Sequence, residues 1–132
     1  MSAALLIAGA LLAQSALPVV TVTGGSDRTG IERTDVAYPE LSQGRNEAAI
    51  ARITANRELA SDDPAAMINL GAAYLRTGRD RDAQRCYQRA IASREHYDLE
   101  LANGQWMNSR QAARKANALL STRQTLALAQ RN

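Results

Sequence analysis

The chain has 132 residues, 45% of them hydrophobic and 22% charged, with a formal net charge of +3. That is room for one small domain, and the mild positive charge does not by itself imply nucleic acid. Phenylalanine is absent and aromatics make up only 4%, so the core must be built on alanine, leucine and isoleucine, which suits closely packed helices and not a β-sandwich.

Ala3 to Ala13 is an unbroken apolar run of Ala, Leu, Ile and Gly. It is too short to span a bilayer, which takes about 20 residues. Its length and the small residues Ala13 and Ser15 fit a secretory signal. Residues 1–16 are therefore expected to be a signal peptide, cleaved after Ser15 or Ala16, with the mature chain exported, in the periplasm. No Lys or Arg precedes the run, so either the amino terminus supplies the charge or the true start lies upstream. An uncleaved signal anchor and a buried N-terminal helix are the alternatives.

Residues 17–33 read as a flexible linker. Val19 to Val22 is a β-branched stretch able to pair as a strand. Gly24-Gly25 is not a phosphate loop, because no Gly-Lys-Ser/Thr follows it.

Tyr38-Pro39-Glu40-Leu41 leaves only a short first helix, since proline disfavours helix at the residue before it. Gly44-Arg45-Asn46-Glu47-Ala48-Ala49 then matches Gly78-Arg79-Asp80-Arg81-Asp82-Ala83 at an offset of 34 positions. Ala49, Ile50 and Ile53 give the helix after Gly44 an apolar stripe.

Residues 64–91 carry the strongest pattern. Asp62, Asp63 and Pro64 suit a helix start, with proline in the first turn. Leu70, Gly71 and Tyr74 fall on one side of that helix, and Gly71 lets a second helix approach closely. Thr77-Gly78 stops the helix. Asp80 and Asp82 favour the start of the next one. Ala83, Tyr87, Ala90 and Ile91 form its apolar stripe.

The joint Leu-Gly-x2-Tyr and Ala-x3-Tyr-x2-Ala spacing resembles a tetratricopeptide (TPR) repeat, a helix–turn–helix unit of about 34 residues. Met67 stands where the family has a large aromatic, Tyr87 where phenylalanine is usual, and the proline expected near Glu95 is missing. The resemblance implies a mainly α fold: a TPR-like helix–turn–helix stack over 34–132, with a degenerate repeat at 34–63 and a complete one at 64–97. Repeat packing falls on Leu70, Gly71, Tyr74, Ala83, Tyr87 and Ala90. The peptide-binding groove of the family maps to Ala65, Ile68, Asn69, Ala72 and Arg76. There Asn69 would bond a peptide backbone, Arg76 would meet a carboxylate, and the two alanines would leave room for an extended ligand. The family's carboxylate clamp needs more basic residues and asparagines than these, so that clamp is not expected.

After Ser93 the period changes to two. Tyr97, Leu99 and Leu101 alternate with Asp98 and Glu100, and Asn103-Gly104 is a strong hairpin turn signal. A short C-terminal β-hairpin is expected over 97–107. With a two-residue turn, Gln105 faces Ala102, and Trp106 faces Leu101 on the apolar side. Asn108-Ser109 resembles a helix cap, and a closing helix follows over 109–130, with Ala112, Ala113, Ala116, Leu119, Leu120, Leu126 and Ala127 on a broad apolar face. From residue 101 onward the charges are Arg110, Arg114, Lys115, Arg123 and Arg131, with no acid.

The single histidine, His96, and the single cysteine, Cys86, have no partner spacing for zinc and no surrounding nucleophile motif. No catalytic residue, metal or cofactor is expected. The reading is a non-enzymatic protein–protein interaction module of the cell envelope, an adaptor that binds a protein or peptide segment, with no nucleic acid partner. The alternative is a structural envelope protein that uses its basic last helix at a membrane surface or for self-association.

Overall fold

The computed structural model of the chain describes residues 19–26, 32–33, 36–56 and 63–131. The expected signal peptide, 1–16, lies outside the described residues, as do residues 17–18, 27–31 and 34–35 of the neighbouring segments. The described chain is mainly helical, with a small antiparallel sheet.

Asp63 and Pro64 start the central helix. Asp63 is its N-cap, with Oδ2 accepting from the Ala66 N–H at 3.2 Å, and proline occupies the first turn. Both devices suit a helix start, because the leading N–H groups have no intrahelical partner. Every residue from Pro64 to Ala73 is buried. A helix that is apolar all round belongs in a core, and this one packs against every other described helix.

In chain order the helices are α1 (Tyr38–Ser42), α2 (Asn46–Ala55), α3 (Pro64–Arg76), α4 (Asp80–Ala92) and α5 (Ser109–Ala129). The strands are β1 (Val22–Ser26), β2 (Glu32–Arg33), β3 (Asp98–Leu101) and β4 (Trp106–Asn108).

The α1–α2 and α3–α4 turns are built alike. Gly44 and Gly78 both take the left-handed conformation, with φ of 72° and 78°. The Arg45 N–H reaches the Glu40 carbonyl at 2.9 Å, and the Arg79 N–H reaches the Tyr74 carbonyl at 2.8 Å. Both are the six-to-one bond that closes a helix end. The sequence match at these positions is therefore also a match of backbone geometry. Glu47 and Arg79 join the two hairpins through an exposed ion pair at 2.8 Å.

A second correspondence extends the pattern to α5. Arg76 of α3 donates from Nη1 to the Leu41 carbonyl at the end of α1, a pair 35 residues apart. Arg123 of α5 donates from Nη1 to the Leu75 carbonyl at the end of α3, a pair 48 residues apart. Leu41 and Leu75 precede the two turn glycines by the same three positions. So an arginine of α5 meets the end of α3 as an arginine of α3 meets the end of α1. The extra length, 48 − 35 = 13 residues, is taken up mostly by the connection that carries β3 and β4.

The sheet order is β2-β1-β3-β4, antiparallel throughout. Within 17–33, the stretch expected to be a flexible linker, the described residues 22–26 and 32–33 are strands of this sheet. Residues 22–26 form an interior strand, Val20, Thr21 and Val22 are buried, and Val22 has no exposed surface. The stretch orders because β3 and α3, far away in sequence, supply its partners.

The hairpin is present with a different register. Leu99 pairs with Met107 and Glu100 with Trp106. The Leu101 N–H bonds the Gln105 carbonyl, the Gly104 N–H bonds the Leu101 carbonyl, and Gly104 has φ of 82°. This is a three-residue loop ending in a left-handed glycine, not a two-residue turn. The added residue slips the strand by one and flips its faces. Met107 turns to the core, and Trp106 is left 57% exposed. Asn108 caps α5, accepting from the Arg110 N–H at 3.0 Å.

Candidate peptide-binding face

Residues 65, 68, 69, 72 and 76 share one side of α3 because they step by three and four. The structure does not leave that side open. Ala65, Ile68, Asn69 and Ala72 are all fully buried. At Asn69, where a ligand's backbone was expected, the chain's own Val22 and Val36 stand instead.

Asn69 makes the contacts that define the site. Its Oδ1 accepts from the Val22 N–H at 2.7 Å. Its Nδ2 donates to the Val22 carbonyl at 2.8 Å and to the Val36 carbonyl at 2.8 Å. These partners fix which side-chain atom is oxygen and which is nitrogen, since one faces an N–H and the other faces two carbonyls. Val22 turns both of its backbone groups to this one side chain. Among the described residues, β2 pairs with Gly25 and Ser26 and not with Val22. The Asn69 amide thus replaces one residue of a missing neighbouring strand. Each such bond is worth about 1 kcal/mol net, and leaving a buried partner unpaired costs about 1–3 kcal/mol.

The rest of β1 is held more lightly. Its ladder to β3 runs from Val22–Leu101 to Ser26–Asp98, with a bulge between Val22 and Gly24. Thr23 Oγ1 donates to the Glu100 carbonyl at 3.1 Å. Gly24 and Gly25 contribute no side chain to packing, which weakens a strand.

Arg76 is exposed, and its guanidinium serves the end of α1 through the Leu41 carbonyl at 3.0 Å. The residues expected to pack the repeat lie mostly in the core. Leu70, Gly71, Ala83, Tyr87 and Ala90 are buried, and Tyr74 is half-buried, with the Arg79 guanidinium 5.8 Å from its ring centre.

Two arginines of the basic helix are engaged at helix ends. Arg110 donates from Nε to the Ile91 carbonyl at 3.1 Å and from Nη2 to the Ser93 carbonyl at 3.3 Å, at the end of α4. Arg123 does the same for α3. Cations suit helix C-termini, where the carbonyls are unpaired. Arg114, Lys115 and Arg131 are exposed, as are Leu126 and Leu128 at the far end of α5.

Cys86 is buried, and burial pushes its thiol up to about 11, so it carries almost no thiolate at neutral pH. His96 is exposed, with Nδ1 3.5 Å from Arg110 Nη2. Among the described residues there is no group of three or more His, Cys, Asp or Glu able to hold a metal ion. No described helix is long and apolar enough to cross a membrane.

One buried polar cluster had no signal in the sequence. The Tyr97 hydroxyl donates to Asp63 Oδ1, 34 residues away. The Tyr97 N–H meets Ser109 Oγ at 3.3 Å, and the Ser109 N–H bonds the Tyr97 carbonyl at 2.9 Å. The cluster ties the starts of α3 and α5 to the hairpin, and it is structural.

No family model matches this chain, and neither a curated protein nor a solved structure shows significant similarity to it.

Proposed function

We propose that the chain is a small, non-enzymatic, TPR-like interaction module of the cell envelope, exported to the periplasm, which holds an extended protein segment against α3. The observation that carries this reading is the pairing of the Asn69 amide with both backbone groups of Val22. Recognition through N–H and C=O is the chemistry by which a domain takes up a peptide strand. The repeated glycine turns 34 positions apart, and the matched arginine contacts at Leu41 and Leu75, support the repeat architecture.

A second reading is favoured by Leu126 and Leu128, exposed at 49% and 63% beside the basic residues of α5. On that reading the helix end lies on an anionic membrane surface or against a second copy.

Site-specific photo-crosslinking in cells separates the two. A photo-reactive residue at Arg76, at the exposed end of the α3 face, is expected to capture a protein partner in the periplasmic fraction. The same group at Arg131 is expected to capture none. Capture at Arg131 alone, of lipid or of a second copy, supports the second reading. Recovery of the chain from the cytosol still starting at Met1 contradicts export.

A further inference from the structure

β1 sits on the body of the protein as a ligand would. It is read through its backbone by Asn69 on one edge and by β3 on the other. Val20 and Val22 are buried among apolar neighbours, and Thr21 is buried with them. Among the described residues β2 pairs with β1 and with no other strand, so when β1 and β2 leave together the ladder broken is the one between β1 and β3. The contact between Asn69 Nδ2 and the Val36 carbonyl lies outside that hairpin, so one of the three Asn69 bonds is not made to β1. The bulge at Thr23 and the paired glycines limit how firmly the strand is held.

We infer that the cleft between α3 and β3 is an exchangeable strand site. Residues 20–26 are its built-in occupant, and a partner's extended segment is its ligand in trans. This rests on the reading of α3 as a peptide-binding face. The ligand runs antiparallel to β3. It carries β-branched aliphatic residues at the positions of Val20 and Val22, no charge between them, and no proline at the Val22 position, because Asn69 Oδ1 needs that N–H. A tethered occupant competes at an effective concentration on the order of millimolar. The trans ligand therefore binds weakly until the chain's own strand is displaced.

The probe is a fluorescein-labelled peptide with the sequence of residues 18–26, titrated with the full chain and followed by fluorescence anisotropy. The full-length Val22→Asp variant cannot bury its own strand, and it is expected to bind the probe at least about tenfold tighter than the unmodified chain, the gain set by removal of the tethered competitor. Adding Asn69→Ala is expected to remove that gain, and a probe with aspartate at the Val22 position is expected not to bind. Equal binding by the unmodified and Val22→Asp chains, or a gain that survives Asn69→Ala, overturns the proposal. Hydrogen exchange on the unmodified chain decides the matter if Val22→Asp fails to fold. The Val22 amide is expected to exchange through a local opening well before the Tyr87 and Ala90 amides of α4. Exchange of Val22 only together with those amides overturns it. Such a result alongside a protein partner captured at Arg76 leaves the α3 face as a binding surface and removes only the exchange.

Discussion

The ring of Tyr87 fills the space a side chain at Gly71 would need: a Cβ built at 71 stands 2.4 Å from the Tyr87 Cε1 and 2.9 Å from two further ring atoms. Tyr87 is itself buried in the core, so its ring can give way only by disturbing its neighbours. Gly71→Ala is therefore expected to overpack the α3–α4 contact at a cost of about 1–3 kcal/mol. At roughly 3–5 °C per kcal/mol for a chain of this size, thermal unfolding registers the loss easily. Tyr87→Leu in the same chain should recover part of it. An unchanged Tm for Gly71→Ala contradicts the packing described.

Asn69→Ala removes the partner of three backbone groups at once, those of Val22 and the Val36 carbonyl. The expected loss is at least about 3 kcal/mol, read from the urea midpoint. Asn69→Asp gives the same site a pH dependence. The new carboxylate faces two carbonyls in a buried site, so burial and repulsion hold its folded pKa above its unfolded value. The native state then keeps a proton that the unfolded chain releases. Stability is greatest below the unfolded carboxyl range of about 4 and falls as the pH rises through the folded value. Urea midpoints at pH 4 and pH 7 are expected to differ in that direction, relative to the unmodified chain.

Cys86 should be inert in the native protein. A thiol-specific reagent at pH 8 is expected to label it only after unfolding. Its thiol is raised from 9.0 to about 11, so between those values the unfolded chain loses a proton that the native state retains. Native stability is expected to fall over that window as the pH rises, with Tyr87, also raised by burial, adding to the fall at the alkaline end.

Arg110→Ala and Arg123→Ala are each expected to cost about 1 kcal/mol, because each removes a charged donor from a helix end: Arg110 from the Ile91 and Ser93 carbonyls, and Arg123 from the Leu75 carbonyl, which keeps its bond from the Gly78 N–H. Arg114→Ala, on the exposed face of the same helix, should stay within about 0.5 kcal/mol. Equal effects at all three sites contradict the division of α5 into engaged and solvated charges.

The helices of the central hairpin were legible because their signals are local. Asp63-Pro64 at the start, Gly71 at the crossing and Gly78 at the stop each act within a few positions. The hairpin turn was legible in place but not in register, since Asn103-Gly104 serves both two-residue and three-residue loops. β1 was legible only at its start, where the β-branched run Val19 to Val22 is able to pair, and nothing local carries the strand on to Ser26. Its glycines argue against one, and its partners, Glu100 and Asn69, lie 77 and 47 residues away from Thr23 and Val22. Asn69 was read as a group that bonds a peptide backbone. That chemistry is present, but the backbone is the chain's own, a relationship no spacing rule contains. The engagement of Arg110 and Arg123 was hidden for the same reason, since a basic stripe does not say which carbonyls it meets.

The most direct test of the account is the Asn69 side-chain amide seen by NMR in the full chain. Its Nδ2 protons are expected to show nuclear Overhauser contacts to Val22 and Val36 and to exchange with water far more slowly than a solvated amide. Side-chain amide protons that exchange at the free rate and show no contact to Val22 would contradict it.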